Sequence, residues 1–299
     1  MARRRSTRRK IKTIITIIVL IIAAIAYFLN RPTDENYEIP EGTVEFHFID
    51  IGQGDASLIL VGEDAILIDT GDRGDEEREK LTSYLDKLNI KKLKYFVATH
   101  PDADHIGSAA YVVENYEIEN VILSPKTHTS QTYIDFIEAL EEREQINVIN
   151  PQDKLGECIY VGDLEMKILG PLGDVEKLEK NDASVVIMAR WGNTKVLLTG
   201  DAEEEAERSL ASEYTTQLDC DVLKVGHHGS SSSTNNSFIK YVKPEYAIIS
   251  CGVDNKYGHP HKEALDVLEH YNAEVHRTDL EGTIIVNTDG EKITIKSEK

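Results

Sequence analysis

Cysteine is scarce. The 299 residues contain three, Cys158, Cys220 and Cys251, too few for a disulfide framework or a cysteine-rich zinc site. Cys220 (in LDCDVLKV) and Cys251 (in YAIISCG) lie in apolar, strand-like runs and read as small buried hydrophobes. Hydrophobic residues at 40% and charged residues at 29% exclude collagen-like and low-complexity chains. Acids are absent from residues 1–12, which hold seven of the 33 basic residues, and charge of either sign is absent from residues 13–29. Residues 13–299 then carry 26 basic against 53 acidic residues, a balance of −27. That excess argues against a body that binds nucleic acid by charge alone.

The basic tip (MARRRSTRRKIK) and the run that follows (TIITIIVLIIAAIAYFL) belong together. Seventeen residues at a helical rise span roughly 25 Å, near the lower limit for crossing a bilayer. The segment is apolar on every face, which is unlike an amphipathic globular helix. Basic residues stay on the cytoplasmic side, so the expectation is a single-pass anchor over residues 13–29, with its N-terminus inside and everything after Asn30 outside. The alternative is a secreted chain cleaved near Ala26, since Ala24-Ile25-Ala26 resembles a signal-peptidase site. No cysteine follows the run, which disfavours a lipoprotein. Residues 30–42, with two prolines, read as a linker to a domain over residues 43–299.

Within that domain, strands are predicted at 44–50, 56–61, 65–70, 94–99, 120–124, 164–169, 184–190, 195–200, 221–226 and 246–251, with a terminal hairpin over 283–288 and 292–297. Helices are predicted at 75–88, 106–115, 131–144, 202–212, 235–242 and 262–271. This mixture suggests layered α/β architecture. Two strand ends echo each other, ILIDTGD (66–72) and KVLLTGD (195–201), as two related halves would.

Residues 99–107, THPDADHIG, concentrate chemistry. His100, Asp102, Asp104 and His105 lie within six residues, a compact donor set for a divalent cation. In an extended loop His100 and Asp102 point the same way, while Asp104 and His105 can close on a second position. Asp201 ends an apolar strand, His227-His228 ends another, and His259-Pro260-His261 follows a loop, so six of the ten histidines fall in three short clusters. The serine run 230–233 reads as a loop and helix cap rather than a nucleophile set.

DIGQGD (50–55), LIDTG (67–71), HPDADH (100–105), NDAS (181–184), TGD (199–201) and HHGS (227–230), in that order, resemble the metallo-β-lactamase superfamily. Within it they resemble the extracellular hydrolase domain of ComEC-type competence proteins. The resemblance covers residues 43–295. It implies an αββα sandwich of two similar halves and hydrolysis at one or two divalent ions, commonly zinc and sometimes manganese. Carried over, His100 and Asp102 belong to a first metal site, and Asp104 and His105 to a second. Asp201 bridges the two, and a histidine of the 227–228 pair completes the set. Asp69 orients the ligand loop without binding metal, Asp55 shapes the site edge, and Asn181 and Ser184 line it. Asp104, His228, His259 and His261 are the catalytic candidates. Whichever of the three histidines is not a ligand is available to protonate a leaving group.

Two departures stand out. Asp102 replaces the superfamily's usual second histidine, and no histidine lies near 181–185. The first site is thereby richer in hard oxygen, which keeps Mn²⁺ open beside zinc. The implied substrate is a phosphodiester, either single-stranded DNA or a cell-wall polymer such as one bearing phosphocholine. A metal-poor scaffold that binds a partner is the non-enzymatic alternative.

Overall fold

The apolar runs assemble into two sheets packed face to face. The computed structural model describes Tyr37 and residues 39–299, and residues 38–299 form one compact unit. The predicted tip and anchor, with most of the linker, lie outside the described residues. Among the described residues no helix is long and apolar enough to cross a membrane.

The first sheet contains β1 (Val44–Phe48), β2 (Ser57–Val61), β3 (Asp64–Ile68), β4 (Lys92–Ala98), β5 (Glu117–Leu123) and β6 (Asn147–Ile149). The second contains β7 (Cys158–Val161), β8 (Leu164–Gly170), β9 (Val186–Trp191), β10 (Thr194–Leu198), β11 (Val222–Lys224), β12 (Tyr246–Ile249) and β13 (Glu274–Arg277). A terminal hairpin, β14 (Ile284–Thr288) and β15 (Ile293–Ser297), returns to the first sheet beside β1. Strand order is β15-β14-β1-β2-β3-β4-β5-β6 in one sheet and β13-β12-β11-β10-β9-β8-β7 in the other.

Each half follows one plan. An antiparallel meander ends on β3 or β10, and the three strands that follow, β4–β6 or β11–β13, run parallel to it. The two Thr-Gly-Asp segments follow these two equivalent strands, so the sequence echo marks the same place in two related halves.

The helices are α1 (Asp75–Lys87), α2 (Ala103–Ile106), α3 (Ala109–Asn115), α4 (Gln131–Glu141), α5 (Glu204–Tyr214), α6 (Asn236–Val242), α7 (Lys262–His270) and α8 (Thr278–Glu281). The two-residue side-chain period of a strand decides the layering. On β3, Ile66 and Ile68 enter the space between the sheets, while Leu67 packs outward with Leu81, Val112 and Phe136 of the helices. On β10, Val196 and Leu198 face the other sheet and Leu197 joins Leu210, Phe238 and Leu268 outside. The result is an α/β/β/α sandwich with three apolar layers. Each fully buried Leu, Ile or Phe contributes roughly 1.5–3 kcal/mol. This burial holds both sheets in one register and brings the carboxyl ends of β3, β4, β10 and β11 to one edge, where layered α/β folds place their sites.

Candidate metal centre

Asp69, the residue after β3, organises the ligand loop. It sits at φ 60, a costly conformation for a residue with a side chain. There its carboxylate accepts three hydrogen bonds, from the Thr99 N–H (2.9 Å), the Thr99 hydroxyl (2.6 Å) and His105 Nδ1 (2.7 Å). The loop passes so close to its neighbours that two glycines are required. A Cβ on Gly107 would lie 2.2 Å from the Arg73 nitrogen, and one on Gly54 would lie 2.5 Å from the Asp104 carbonyl oxygen.

These bonds set the tautomer of each histidine. The Thr99 hydroxyl donates to Asp69, so towards His100 Nδ1, 3.1 Å away, it can only accept. His105 Nδ1 gives its proton to Asp69, and His228 Nδ1 donates to the Ser250 carbonyl at 2.9 Å. In its neutral form each of the three rings therefore presents an Nε2 lone pair. All three Nε2 atoms are buried without a hydrogen-bond partner, as is Asp201 Oδ1. They converge. His105 Nε2 lies 3.1 Å from Asp201 Oδ1, and His100 and His228 Nε2 lie 3.8 and 3.6 Å from Asp201 Oδ2. Asp104 Oδ2 is 3.4 Å from His228 Nε2. Buried lone pairs facing one another are costly unless a cation joins them. His100, His105 and Asp201 form one ligand-spaced group, and Asp104, His105 and His228 form another. These residues fit a divalent metal.

Without a cation, protons on the imidazoles offset the buried carboxylates instead. Burial pushes the His105 imidazole down, but the Asp201 and Asp69 carboxylates at its two nitrogens outweigh burial and hold it well above the ordinary value. Burial alone would raise Asp104 and Asp201, yet the surrounding imidazoles hold both below the usual carboxylate range, with His228 foremost at Asp104 and His105 at Asp201. Burial, reinforced by His105, lowers His100.

The other predicted residues divide by their partners. Ser184 accepts from the Asp201 N–H at 3.1 Å and so positions it. Asn181 reaches Glu203 at 3.4 Å. Asp55 bonds the Lys224 ammonium at 2.8 Å, with both side chains almost wholly buried. His227 sits at φ 47 and gives its Nδ1 side to Glu203 at 2.7 Å, while its Nε2 is 3.9 Å from Asp201. His228 is thus the more fully buried of the pair and the one among the converging lone pairs.

Asp102 turns Oδ2 towards His100 Nε2 at 4.0 Å, while its Oδ1 is bonded by the Lys180 ammonium. His259 lies over the cluster, with its Nδ1 buried and unpartnered and its ring stacked on His228 at 6.0 Å. Burial and the three neighbouring imidazoles lower it to about 4. His261 has both ring nitrogens engaged, accepting from the Ser231 N–H at 2.9 Å and meeting the Tyr257 carbonyl at 3.1 Å, which makes it a clamp between two loops. The serine run does not cap α6, whose N-cap is Asn235. Its hydroxyls bond Gly226 and Glu203 instead.

Lys180, Lys224 and Glu203 were not singled out as partners of site residues. The one available signal was Lys224 itself, a charged residue inside the otherwise apolar strand predicted at 221–226.

Fold and donor set define a class, a four-layer α/β sandwich whose metal-ready edge lies at the carboxyl ends of its parallel strands. The metallo-beta-lactamase superfamily model matches residues 49–253, and the chain belongs to that superfamily. It is 34% identical over 260 residues to ComE operon protein 3 of Bacillus subtilis, covering 82% of this chain and 33% of that protein. It is 31% identical over 265 residues to recombination protein 2 of Haemophilus influenzae, covering 88% and 31%. The chain thus spans about a third of the length of these relatives. Among solved structures, the metallo-beta-lactamase fold protein YhfI of B. subtilis superposes with a TM-score of 0.52 at 12% identity, covering 82% of this chain and 100% of that one, a likeness of fold.

Proposed function

We propose that the chain is a membrane-anchored, metal-dependent phosphodiesterase whose catalytic domain lies outside the cytoplasm. The observation that carries the catalytic part is the convergence of three Nε2 lone pairs and Asp201 with no hydrogen-bond partner among themselves. His105, His228, Asp104 and Asp201 would hold the principal cation, with His100 beside Asp201. Zinc or manganese suits this mixture of imidazole and carboxylate. When bound, such an ion supplies Lewis acidity to the attacking water and to the phosphoryl oxygen.

The chain's own residues do the rest. Asp69 and Thr99 keep the His100 and His105 rings aimed inward, and the Ser250 carbonyl does the same for His228. Ser184 fixes Asp201. Lys180 neutralises Asp102, which favours one resident cation over two. His228 faces the ligand cluster and His261 is committed to its clamp, which leaves His259 to meet the leaving oxygen. Depressed to about 4, it is neutral at pH 7, so its part is to donate a hydrogen bond to that oxygen, and the proton the oxygen finally takes comes from water.

The anchor and its orientation rest on the uncharged run 13–29 behind a basic tip. The retained donor set favours an enzyme over a metal-poor scaffold. The test is hydrolysis of bis-p-nitrophenyl phosphate by the full chain. Chelation and Asp201→Asn should each abolish it, and zinc or manganese should restore the chelated protein. Turnover that survives both treatments refutes the mechanism. Protease digestion of intact cells should reach the domain, and protection in intact cells refutes the orientation.

A further inference from the structure

Between β8 and β9 the chain runs through residues 171–185 with little structure of its own, two single 3-10 turns at Val175–Lys177 and Asn181–Ala183. The second turn reaches the site. Ser184 accepts from the Asp201 N–H, Asn181 meets Glu203, and Asp182 Oδ1 accepts from the Glu203 and Ala206 N–H groups at 3.1 and 2.9 Å. Lys180, just before that turn, holds Asp102. The first turn is anchored far less. Val175 is buried, but Glu176 and Lys177 are exposed, and the Lys177 and Leu178 N–H groups bond only carbonyls three residues back. A segment with so few buried contacts opens readily unless something else closes it.

That closure comes from Lys126, shortly after the end of β5. Its Nζ lies 3.1 Å from the Val175 carbonyl oxygen, 3.1 Å from that of Glu176 and 2.6 Å from that of Leu178. An ammonium has three protons to donate, and here the turn takes all three. Lys126 has no carboxylate partner among the described residues, although Asp174, Glu176 and Glu179 lie in the same stretch of chain. Three carbonyl dipoles aimed at one point repel each other, and a cation between them turns that repulsion into attraction. The same strand end also grips the loop further on, where the Ser124 hydroxyl donates to the Ala183 carbonyl at 2.8 Å.

We propose that Lys126 is a tethered monovalent cation, a positioning residue that folds residues 174–184 against the end of β5. It thereby keeps Ser184 on Asp201 and Lys180 on Asp102, and it acts on the metal edge only through this loop. The catalytic consequence rests on the phosphodiesterase reading, whereas the closure of the loop does not.

If the ammonium acts as a cation in a carbonyl nest, a free cation should replace it. The test is Lys126→Met in the full chain, which removes the charge and keeps most of the stem. Trypsin cleavage after Lys177 and Lys180 is followed by mass spectrometry in EDTA, at constant ionic strength, in tetramethylammonium, potassium or ammonium chloride. Cleavage of a transiently open loop tracks its open population. In tetramethylammonium, which is too bulky for the nest, the variant should be cut about ten-fold faster than wild type, as expected when hydrogen bonds to a charged group are lost. Ammonium, the lysine head group without its stem, should slow that cutting by at least about three-fold by binding the closed loop, with potassium acting in the same direction. The wild type, whose nest is filled, should not respond to the choice of cation. Turnover of bis-p-nitrophenyl phosphate by the zinc-loaded variant should follow the same cation order, through kcat rather than KM.

Cleavage at the wild-type rate overturns the proposal, as does faster cleavage that ammonium leaves uncorrected. Lys126→Gln, which keeps N–H donors without the charge, takes the place of a methionine variant that does not fold, and indifference to ammonium overturns the proposal there too. Turnover at the wild-type level in a variant whose loop has opened overturns the positioning role. The two readings fail separately. If cleavage follows the cation but no metal supports hydrolysis of any diester, the hydrolase falls and the tethered cation stands. If the wild type cuts the diester and Lys126→Met changes neither cleavage nor turnover, the tethered cation falls and the hydrolase stands.

Discussion

Replacing Lys224 by Met tests how the site is built. The Lys224 ammonium lies 2.8 Å from Asp55 Oδ2 and 2.9 Å from the Val225 carbonyl, and the side chains of the ion pair are 3% and 5% exposed. Asp55 is also within ligand distance of Asp201 and His228, so the lysine cancels a carboxylate that would otherwise add to the negative charge of the cluster. Methionine fills a similar volume and removes only the charge. Removing one partner of a buried pair costs about 3–5 kcal/mol, because the remaining charge is left in a low dielectric. With a urea slope of about 3 kcal/mol/M, the unfolding midpoint should fall by roughly 1–1.5 M. The double variant Lys224→Met/Asp55→Asn removes both charges of the pair and should recover most of that loss. Both proteins are to be measured by urea unfolding in EDTA, which keeps metal binding out of the balance. A midpoint shift below about 0.3 M for Lys224→Met, or a double variant no better than the single, refutes the claim that this pair is a coupled buried unit.

Lys180→Met should raise the metal content of purified protein from one to two ions per chain, read by plasma mass spectrometry, because it frees Asp102. A constant count shows that the lysine does not govern the first site. Asp69→Asn should weaken zinc affinity about 10–100-fold, as loss of a ligand-orienting carboxylate does, with the circular dichroism spectrum unchanged. Unchanged affinity refutes its orienting role. The pH dependence should differ between chelated and loaded protein. His105 and His228 are raised above 6.5 by their carboxylate neighbours, so the stability they supply is present below pH 6.5 and lost as pH climbs through their folded values. Asp104 and Asp201 are depressed, so theirs is present above 3.8 and lost as pH falls through their folded values. The thermal midpoint of chelated protein should therefore fall as pH rises above 6.5, while the metal-loaded protein, whose ligands are already deprotonated, should hold level. Parallel curves refute the assignment.

The interior strands were legible because both of their faces are buried, which leaves nearly continuous apolar runs such as SLILV (57–61) and KVLL (195–198). The strands missed were β6, β7 and β13, each of three or four residues with mostly exposed or half-exposed side chains. All three lie at sheet edges, where no second neighbour demands an apolar residue. The helix predicted over 106–115 is instead two pieces, α2 and α3, because Gly107 must pass against the Asp72–Arg73 backbone. The ligand-bearing clusters could be read from their spacing. Lys180 and Lys224 could not, because each meets its carboxylate partner across 78 or 169 residues of chain. Lys224 is buried on Asp55 and is not available to a polyanionic ligand.

The two Thr-Gly-Asp segments show how one plan came to serve two ends. In the first half, the strand end is committed to holding the ligand loop. The Thr70 N–H and hydroxyl both bond the His105 carbonyl, at 2.6 and 3.0 Å, and the Gly71 carbonyl accepts from the Gly107 N–H at 2.9 Å. Asp72, at the position equivalent to Asp201, lines a cleft beside Asp104 and is raised by burial, with Asp104 adding to the rise. In the second half, the Thr199 hydroxyl bonds only the Lys224 carbonyl of the neighbouring strand, at 2.8 Å. Its aspartate is free to turn inward, where three imidazoles meet it. If this division is physical, the two aspartates are not interchangeable. Asp72→Asn should leave the metal content of the purified protein unchanged, because Asp72 belongs to none of the ligand-spaced groups. Asp201→Asn should drop the metal count towards zero. Equal loss of metal in both variants would mean that the halves share the ligand load and that the asymmetry traced through Thr70 and Thr199 has no chemical consequence.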